Sequence, residues 1–249
     1  MSFVVLPDET LEDLQINGLF ILQKKDSFRF GMDAVLLSNF VTAHQKQNVL
    51  DLGTGTGIIP VLIAAKTNAK SITGLEIQPD IADMARRSVS GNNLNNRITI
   101  KTGDIKEAGS IFGAATYDIV VTNPPYTKVG SGNVNPKDSK AISRHELCCN
   151  LTDVLTNSSV VLKPQGWFFM VHRPERLTDI LVGMRKVRIE PKLLRMVCPC
   201  PGKAPSLILV KGLKNGKPGL KILPDLVVCD DAGNYTKEAR IQYSMDSEV

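Results

Sequence analysis

The sequence predicts an α/β protein built around a mostly parallel sheet. Three observations lead there. From Asn48 to Val171, short apolar runs alternate with helical patterns at the spacing of βαβ units. A glycine-rich turn, VLDLGTGTGIIPVLIAA, joins the first run to the first helix. Acidic residues then stand at the carboxyl ends of the next two runs, in GLEI and GDI.

In order, Val49 to Gly53 reads as a buried strand and Ile58 to Lys66 as an apolar helix. Ser71 to Ile77 is the second strand. Pro79 to Asn92 is a helix with apolar residues at Ile81, Ala82, Ala85 and Val89. Ile98 to Ile105 and Asp118 to Thr122 are the third and fourth strands, Leu147 to Leu162 a helix, and Gly166 to Val171 the fifth strand. Leu193 to Cys198 and Ser206 to Gly212 flank the Pro- and Gly-rich loop CPCPGKAP and predict an antiparallel hairpin. Beyond Asn215 the composition turns to Gly, Pro and polar residues, which predicts a loop-rich tail. No linker is visible. Residues 1–47 are expected to be an N-terminal extension packed on the core, and 48–249 the single domain.

A chain of 249 residues can bury a sizeable core without disulfides. No apolar run approaches the ~20 residues that span a bilayer. The N-terminus carries four acids in its first thirteen residues, unlike a secretory signal. Five cysteines, with Cys148 and Cys149 adjacent, read as reduced thiols in a cytoplasmic protein. Cys198 and Cys200, with histidines scattered at 44, 145 and 172, fall short of a zinc ligand set, so no metal is expected. The net charge of +5 is unevenly spread. Between Tyr126 and Lys221, 17 Lys and Arg stand against 6 Asp and Glu, while the rest of the chain is acidic. Such a block is the footprint of a polyanion, unless it is only a solvated surface.

The glycine turn places Asp51, Gly53, Thr54, Gly55 and Gly57 between a strand and a helix. Glycine lets the backbone turn sharply and approach a ligand. The pattern is GxGxG, neither the GxGxxG of dinucleotide enzymes nor a P-loop. Alone it is equally a tight structural turn. Glu76, followed by Ile77, ends the second strand, where an acid can accept from both ribose hydroxyls of a nucleoside. Asp104, followed by Ile105, ends the third, where an acid can accept from an exocyclic adenine amine. Each acid is alternatively a helix N-cap or a solvated residue. The ordered set converges on the crevice where open α/β sheets bind ligands.

The fourth strand runs DIVVTNPPY and ends in Asn123, Pro124, Pro125 and Tyr126. With the acidic GxGxG turn upstream, this motif resembles the S-adenosylmethionine-dependent N-methyltransferases. The resemblance spans residues 28–171. It implies a Rossmann-like, seven-stranded class I methyltransferase sheet, S-adenosyl-L-methionine as cofactor, and methylation of a planar, weakly nucleophilic nitrogen. The residue types suit that chemistry. The Asn123 side-chain oxygen and the Pro124 carbonyl are acceptors for an N–H pair, proline offers no competing donor, and two prolines fix the turn. Tyr126 supplies a stacking face for a base. The methyl donor is already a charged sulfonium, so acceleration comes mainly from alignment.

FRFGMDAVLLSNF, residues 28–40, is similar to the segment preceding the first strand in a bacterial subfamily of tRNA(Val)-type adenine-N6 methyltransferases, which act beside the anticodon. There it closes over the methionine end of the cofactor, implying roles for Phe30, Gly31 and Asp33. Read by itself, the stretch from Ala34 to Phe40 is an amphipathic helix with Asp33 as N-cap. The basic loop KVGSGNVNPKDSKAISRHE also resembles this subfamily, and makes Lys128, Arg144 and His145, with Tyr126, substrate-binding candidates. The resemblance thus implies methylation of adenine N6 in tRNA. Guanine N2 of an RNA and a protein glutamine amide are alternatives within the same chemistry. A protein-glutamine enzyme would carry a longer N-terminal domain, and a restriction-type DNA enzyme a separate recognition region. A dinucleotide-dependent oxidoreductase is disfavoured by the GxGxG spacing, and an inactive RNA-binding module by the intact motifs. Trp167 is expected in the core, His172 in the core or at the surface, and Arg173 and Arg176 facing RNA or solvent.

Overall fold

The computed structural model describes residues 2–25, 31–125 and 150–243. Residue alternation along the central strands explains the layers. Val49, Ile119, Val121, Phe169 and Val171 project into one hydrophobic cluster, and Leu50, Leu52, Val120, Phe168 and Met170 into another. A strand covered on both faces is mostly apolar, as these are, with Asp51 of the first central strand the buried exception.

The chain opens with an antiparallel pair, β1 (Glu9–Asp13) and β2 (Phe20–Lys24). Helix α1 (Met32–Phe40) precedes β3 (Asn48–Leu52). Then follow α2 (Ile58–Lys66), β4 (Ser71–Glu76), α3 (Pro79–Gly91), β5 (Ile98–Thr102), α4 (Ala108–Phe112) and β6 (Tyr117–Thr122). Helix α5 (Leu151–Val161) leads to β7 (Leu162–His172), α6 (Leu177–Lys186), β8 (Ile189–Cys198) and β9 (Leu207–Lys214). The tail adds β10 (Lys221–Ile222), β11 (Leu226–Val227) and α7 (Lys237–Gln242).

The sheet runs β10-β8-β9-β7-β6-β3-β4-β5, with β11 also on β8. Strands β5, β4, β3, β6 and β7 are parallel, and β9 is antiparallel to both β7 and β8. Seven strands thus form the Rossmann-like sheet with its antiparallel hairpin, as expected. The tail departs from expectation. It is not only loop, because β10 and β11 pair with the outer edge of β8 and extend the sheet to nine strands. An uncovered edge leaves a row of unpaired N–H and C=O groups, and two-residue strands satisfy part of it without any sequence periodicity to announce them.

Local signals set the helix ends. Pro79 stands in the first turn of α3, where its missing N–H costs nothing. Asn150 and Asp153 form a reciprocal capping box at the start of α5. Arg97 closes the other end of α2, donating to the carbonyls of Ala64, Thr67 and Ala69 at 2.8, 2.9 and 3.3 Å. Helix α1 starts two residues earlier than read from the sequence. Gly31 is its N-cap, and Asp33 sits inside the first turn with Oδ1 accepting the N–H of Ala34.

The β1–β2 pair is held to α3 by side chains. The N–H of Leu22 donates to Ser88 Oγ at 3.0 Å, and Asn92 both accepts from and donates to the backbone of Phe20. Arg87 donates to both carboxylate oxygens of Glu9, at 2.7 and 2.6 Å. Trp167 is half-buried rather than in the core, with Lys211 Nζ 4.0 Å from its ring centroid. His172 is buried. No described helix is long and apolar enough to cross a membrane.

Candidate active site

Strand β3 lies at the centre of the sheet, between β4 and β6. Successive strands are added on opposite sides of it, and that change of direction opens a crevice at its carboxyl end. The glycine turn occupies this crevice. Gly53, Gly55 and Gly57 have φ of 76°, 56° and 86°, a left-handed conformation that side chains disfavour. The N–H groups of Gly53 and Thr54 both donate to the Leu75 carbonyl at 2.9 Å, tying the turn to β4. Gly57 N-caps α2 and approaches α3 closely, since a Cβ there would lie 3.2 Å from that of Ala85.

Glu76 ends β4 with its carboxylate buried and aligned. One oxygen accepts the N–H of Gly55 at 3.0 Å, and the other the N–H of Gln78 at 3.0 Å. The second oxygen also accepts from the Gln78 side-chain amide at 3.4 Å, while the oxygen bonded to Gly55 keeps acceptor capacity. The N–H of Gly103 donates to the Glu76 carbonyl, which brings the start of the next turn alongside. Asp104 there N-caps a short 3-10 turn, with Oδ1 accepting the N–H of Lys106 at 2.9 Å. Two apolar side chains border the turn. Ile77 is exposed despite its hydrophobicity, and the Ile105 Cδ1 lies 3.7 Å from where a Cβ on Gly53 would stand.

Asp51 is fully buried, and among the described residues neither carboxylate oxygen has a hydrogen bond of full geometry. The Thr54 hydroxyl lies beside it, close enough to favour its charged form. Burial raises the Asp51 carboxyl to about 7, the nearby hydroxyl opposes that rise, and the charge on Glu76 adds to it. A buried carboxyl in this state is poised to accept a cationic or hydrogen-bond-donating ligand group.

Beyond the last rung of the β3–β6 ladder, Leu52 opposite Thr122, Asn123 follows next to Gly53. Thr122 Oγ1 donates to the Leu52 carbonyl at 3.0 Å and locks the two strand ends together. Asn123 is half-buried, Pro124 buried and Pro125 exposed. The structure therefore brings Asp51, Gly53, Thr54, Gly55, Glu76, Ile105 and Asn123 to one crevice. Gly31 and Asp33 stand at the start of α1, where Gly31 borders a different cavity. Phe30, Tyr126, Lys128, Arg144 and His145 lie outside the described residues. One residue escaped the sequence reading. A Cβ on Gly74 would collide with Thr54, at 2.7 Å from its hydroxyl. A glycine inside an apolar strand was the available signal of that close approach.

A family model described as methyltransferase small domain matches residues 25–178. The chain belongs to this methyltransferase family. Among relatives of the methyltransferase is the tRNA1(Val) (adenine(37)-N6)-methyltransferase of Porphyromonas gingivalis, 31% identical over 189 residues, covering 74% of this chain and 73% of the relative. The protein of the same name from Tolumonas auensis is 26% identical over 225 residues, covering 87% and 88%. The methyltransferase fold also matches a solved protein from Agrobacterium tumefaciens described as a predicted O-methyltransferase. Its TM-score is 0.70 at 20% identity, with 86% of this chain and 96% of that one covered.

Proposed function

We propose that the protein transfers a methyl group from S-adenosylmethionine to the N6 amine of an adenine in a tRNA of the tRNA(Val) type, near the anticodon. The observation that carries the reading is the adjacency of two things at the centre of the sheet. The glycine turn with Glu76 forms a nucleoside cradle, and Asn123-Pro124-Pro125 leaves the neighbouring strand beside it. Relatives named as tRNA adenine-N6 methyltransferases support the choice of acceptor.

The residues fit such a cofactor. Glu76 accepts the ribose hydroxyls, Ile77 and Ile105 cover the faces of the adenine, and Asp104 stands near its edge. The buried Asp51 carboxyl and Thr54 hydroxyl keep hydrogen-bonding capacity for polar groups of the methionine end, where the resemblance also puts Phe30, Gly31 and Asp33. When bound, the cofactor supplies an electrophilic methyl on a sulfonium. The chain's own part is alignment and polarisation. The Asn123 side-chain oxygen and the Pro124 carbonyl accept the two N–H bonds of the target amine and raise electron density on its nitrogen. Tyr126 stacks on the base, and the proton leaves after transfer, when the amine has become acidic. Exposed Lys186, Arg188, Lys203, Lys217 and Lys221 give the C-terminal half basic groups for the RNA backbone; Lys128, Arg144 and His145 are further substrate-binding candidates by the resemblance alone.

The test is incubation with labelled S-adenosylmethionine and bulk tRNA from a strain lacking the protein, followed by nucleoside mass spectrometry. N6-methyladenosine is the expected product. Another methylated nucleoside would move the target base. Label in protein alone would overturn the RNA reading.

A further inference from the structure

A second cavity, of about 360 Å³, lies away from the glycine turn. Its walls come from the β1–β2 turn (Asp13, Gln15), the start of α1 (Gly31, Met32), α2 (Leu62, Lys66) and the tail (Tyr235, Gln242, Tyr243). None of Asp51, Gly53, Glu76, Asp104 or Asn123 lines it, and of the cofactor candidates among the described residues it shares Gly31 alone. The tail is fastened over α1 and α2 by Asn39, whose Nδ2 donates to the Gln242 carbonyl at 2.7 Å. A mixed aromatic and polar hollow of this size is a ligand site in general form.

Two features give it a chemistry. The Tyr235 and Tyr243 rings lie 5.4 Å apart at 40°, and Tyr235 is 43% exposed, so a planar group can extend the stack. Lys66 is half-buried in the wall and donates to neutral oxygens only, Asn39 Oδ1 at 2.7 Å and the Gln242 carbonyl at 3.5 Å. Among the described residues no carboxylate pairs with it. Burial pushes its ammonium down to about 8, so an arriving anion is favoured. Among the described lining residues Asp13 is the one carboxylate. It stands exposed at the rim, with Oδ1 accepting the N–H of Gln15. Asp13, Gln15 and Gln242 offer hydrogen bonds to the edge of a planar heterocycle.

We propose that this cavity is a nucleotide subsite, with the base against Tyr235 and the phosphate on Lys66. The nucleotide is either one residue of a bound RNA, which rests on the function proposed above, or a free mononucleotide.

The probe is 5′-AMP, titrated by calorimetry into the full chain in the presence of excess S-adenosylhomocysteine, with adenosine as control. Lys66→Gln is expected to weaken AMP about tenfold while leaving adenosine within about twofold. Tyr235→Ala should weaken both about tenfold, and Tyr235→Phe should restore them. S-adenosylhomocysteine affinity, measured on the same variants, should not change. If the methyltransferase reading fails, that ligand binds none of them while the AMP results stand. Displacement of AMP by tRNA, with a raised KM but unchanged kcat for tRNA in Lys66→Gln, assigns the subsite to RNA. AMP binding indifferent to tRNA assigns it to a free nucleotide. No binding of AMP at up to about 10 mM, or binding untouched by both Lys66→Gln and Tyr235→Ala, overturns the proposal.

Discussion

Glu76 accepts the backbone N–H of Gly55 at 3.0 Å, across the gap between β4 and the turn that follows β3. One carboxylate thus fixes the shape of the glycine turn, while its oxygen facing Gly55 keeps acceptor capacity for a ligand. Glu76→Ala removes both functions. Cofactor affinity should fall by about 1–3 kcal/mol, read by calorimetry with S-adenosylhomocysteine. Wild-type affinity in that variant would remove Glu76 from the cofactor site.

Asn123→Ala should leave cofactor binding nearly intact and lower kcat by about 100-fold or more. The basis is the loss of one oriented acceptor beside the reacting nitrogen. Single-turnover kinetics on tRNA would show it. A variant with near-normal turnover would refute the assignment.

Asp51 has a linked-proton signature. Its folded pKa, about 7, lies above the unfolded value of 3.8 because burial disfavours the charge. Its contribution to stability is therefore full below about pH 4 and lost as the pH rises through 7. Asp51→Asn should flatten the decline of unfolding free energy between pH 5 and pH 8. A cationic ligand group beside Asp51 would draw off its proton. Cofactor binding at pH 7 should then release a proton, seen as a binding heat that depends on the ionisation enthalpy of the buffer. A heat that is the same in every buffer would contradict this.

His172 acts in the opposite direction. Burial chiefly, with opposition from the Arg176 and Arg173 charges, pushes its imidazole down to about 4, although accepting the Arg173 N–H at Nδ1 counters this. Its neutral form stabilises the fold above about pH 6.5, and that stability is lost as the pH falls toward 4. In this window Asp51 and His172 partly cancel, so the single variants are the informative comparison. His172→Gln should lose less stability than the parent between pH 6.5 and pH 4.5. Equal losses in chemical denaturation would exclude the linkage.

Arg87 and Glu9 staple the N-terminal strand pair to α3, with Glu9 1% and Arg87 17% exposed at their side chains. Arg87→Met should cost about 2–3 kcal/mol, because it strands a buried carboxylate near the surface. The double variant Glu9→Gln/Arg87→Met should recover part of that loss. No recovery in denaturant midpoints would mean that the pair is not coupled.

Much of the fold was legible because its signals are local. The run from Val49 to Gly53, the apolar helix Ile58–Lys66 and the strand ending at Glu76 each carry their pattern within a dozen residues, and the structure reproduces them closely. The Asn-Pro-Pro motif and the GxGxG turn announced the candidate crevice for the same reason. Within the central βαβ units the sequence by itself determined which segments form strands and helices, and which polar groups end them.

Only the tertiary structure decided what those groups face. It brought Gly53 beside Asn123 and Glu76 beside Gly55, made Gly74 the room for Thr54, and buried Asp51. It also folded a tail read as loop onto the open edge of β8 and over α1 and α2. These outcomes depend on pairings across dozens to hundreds of residues. Backbone edges and helix grooves attract whatever segment can satisfy or cover them, and no periodicity in the attracted segment records that it will be chosen.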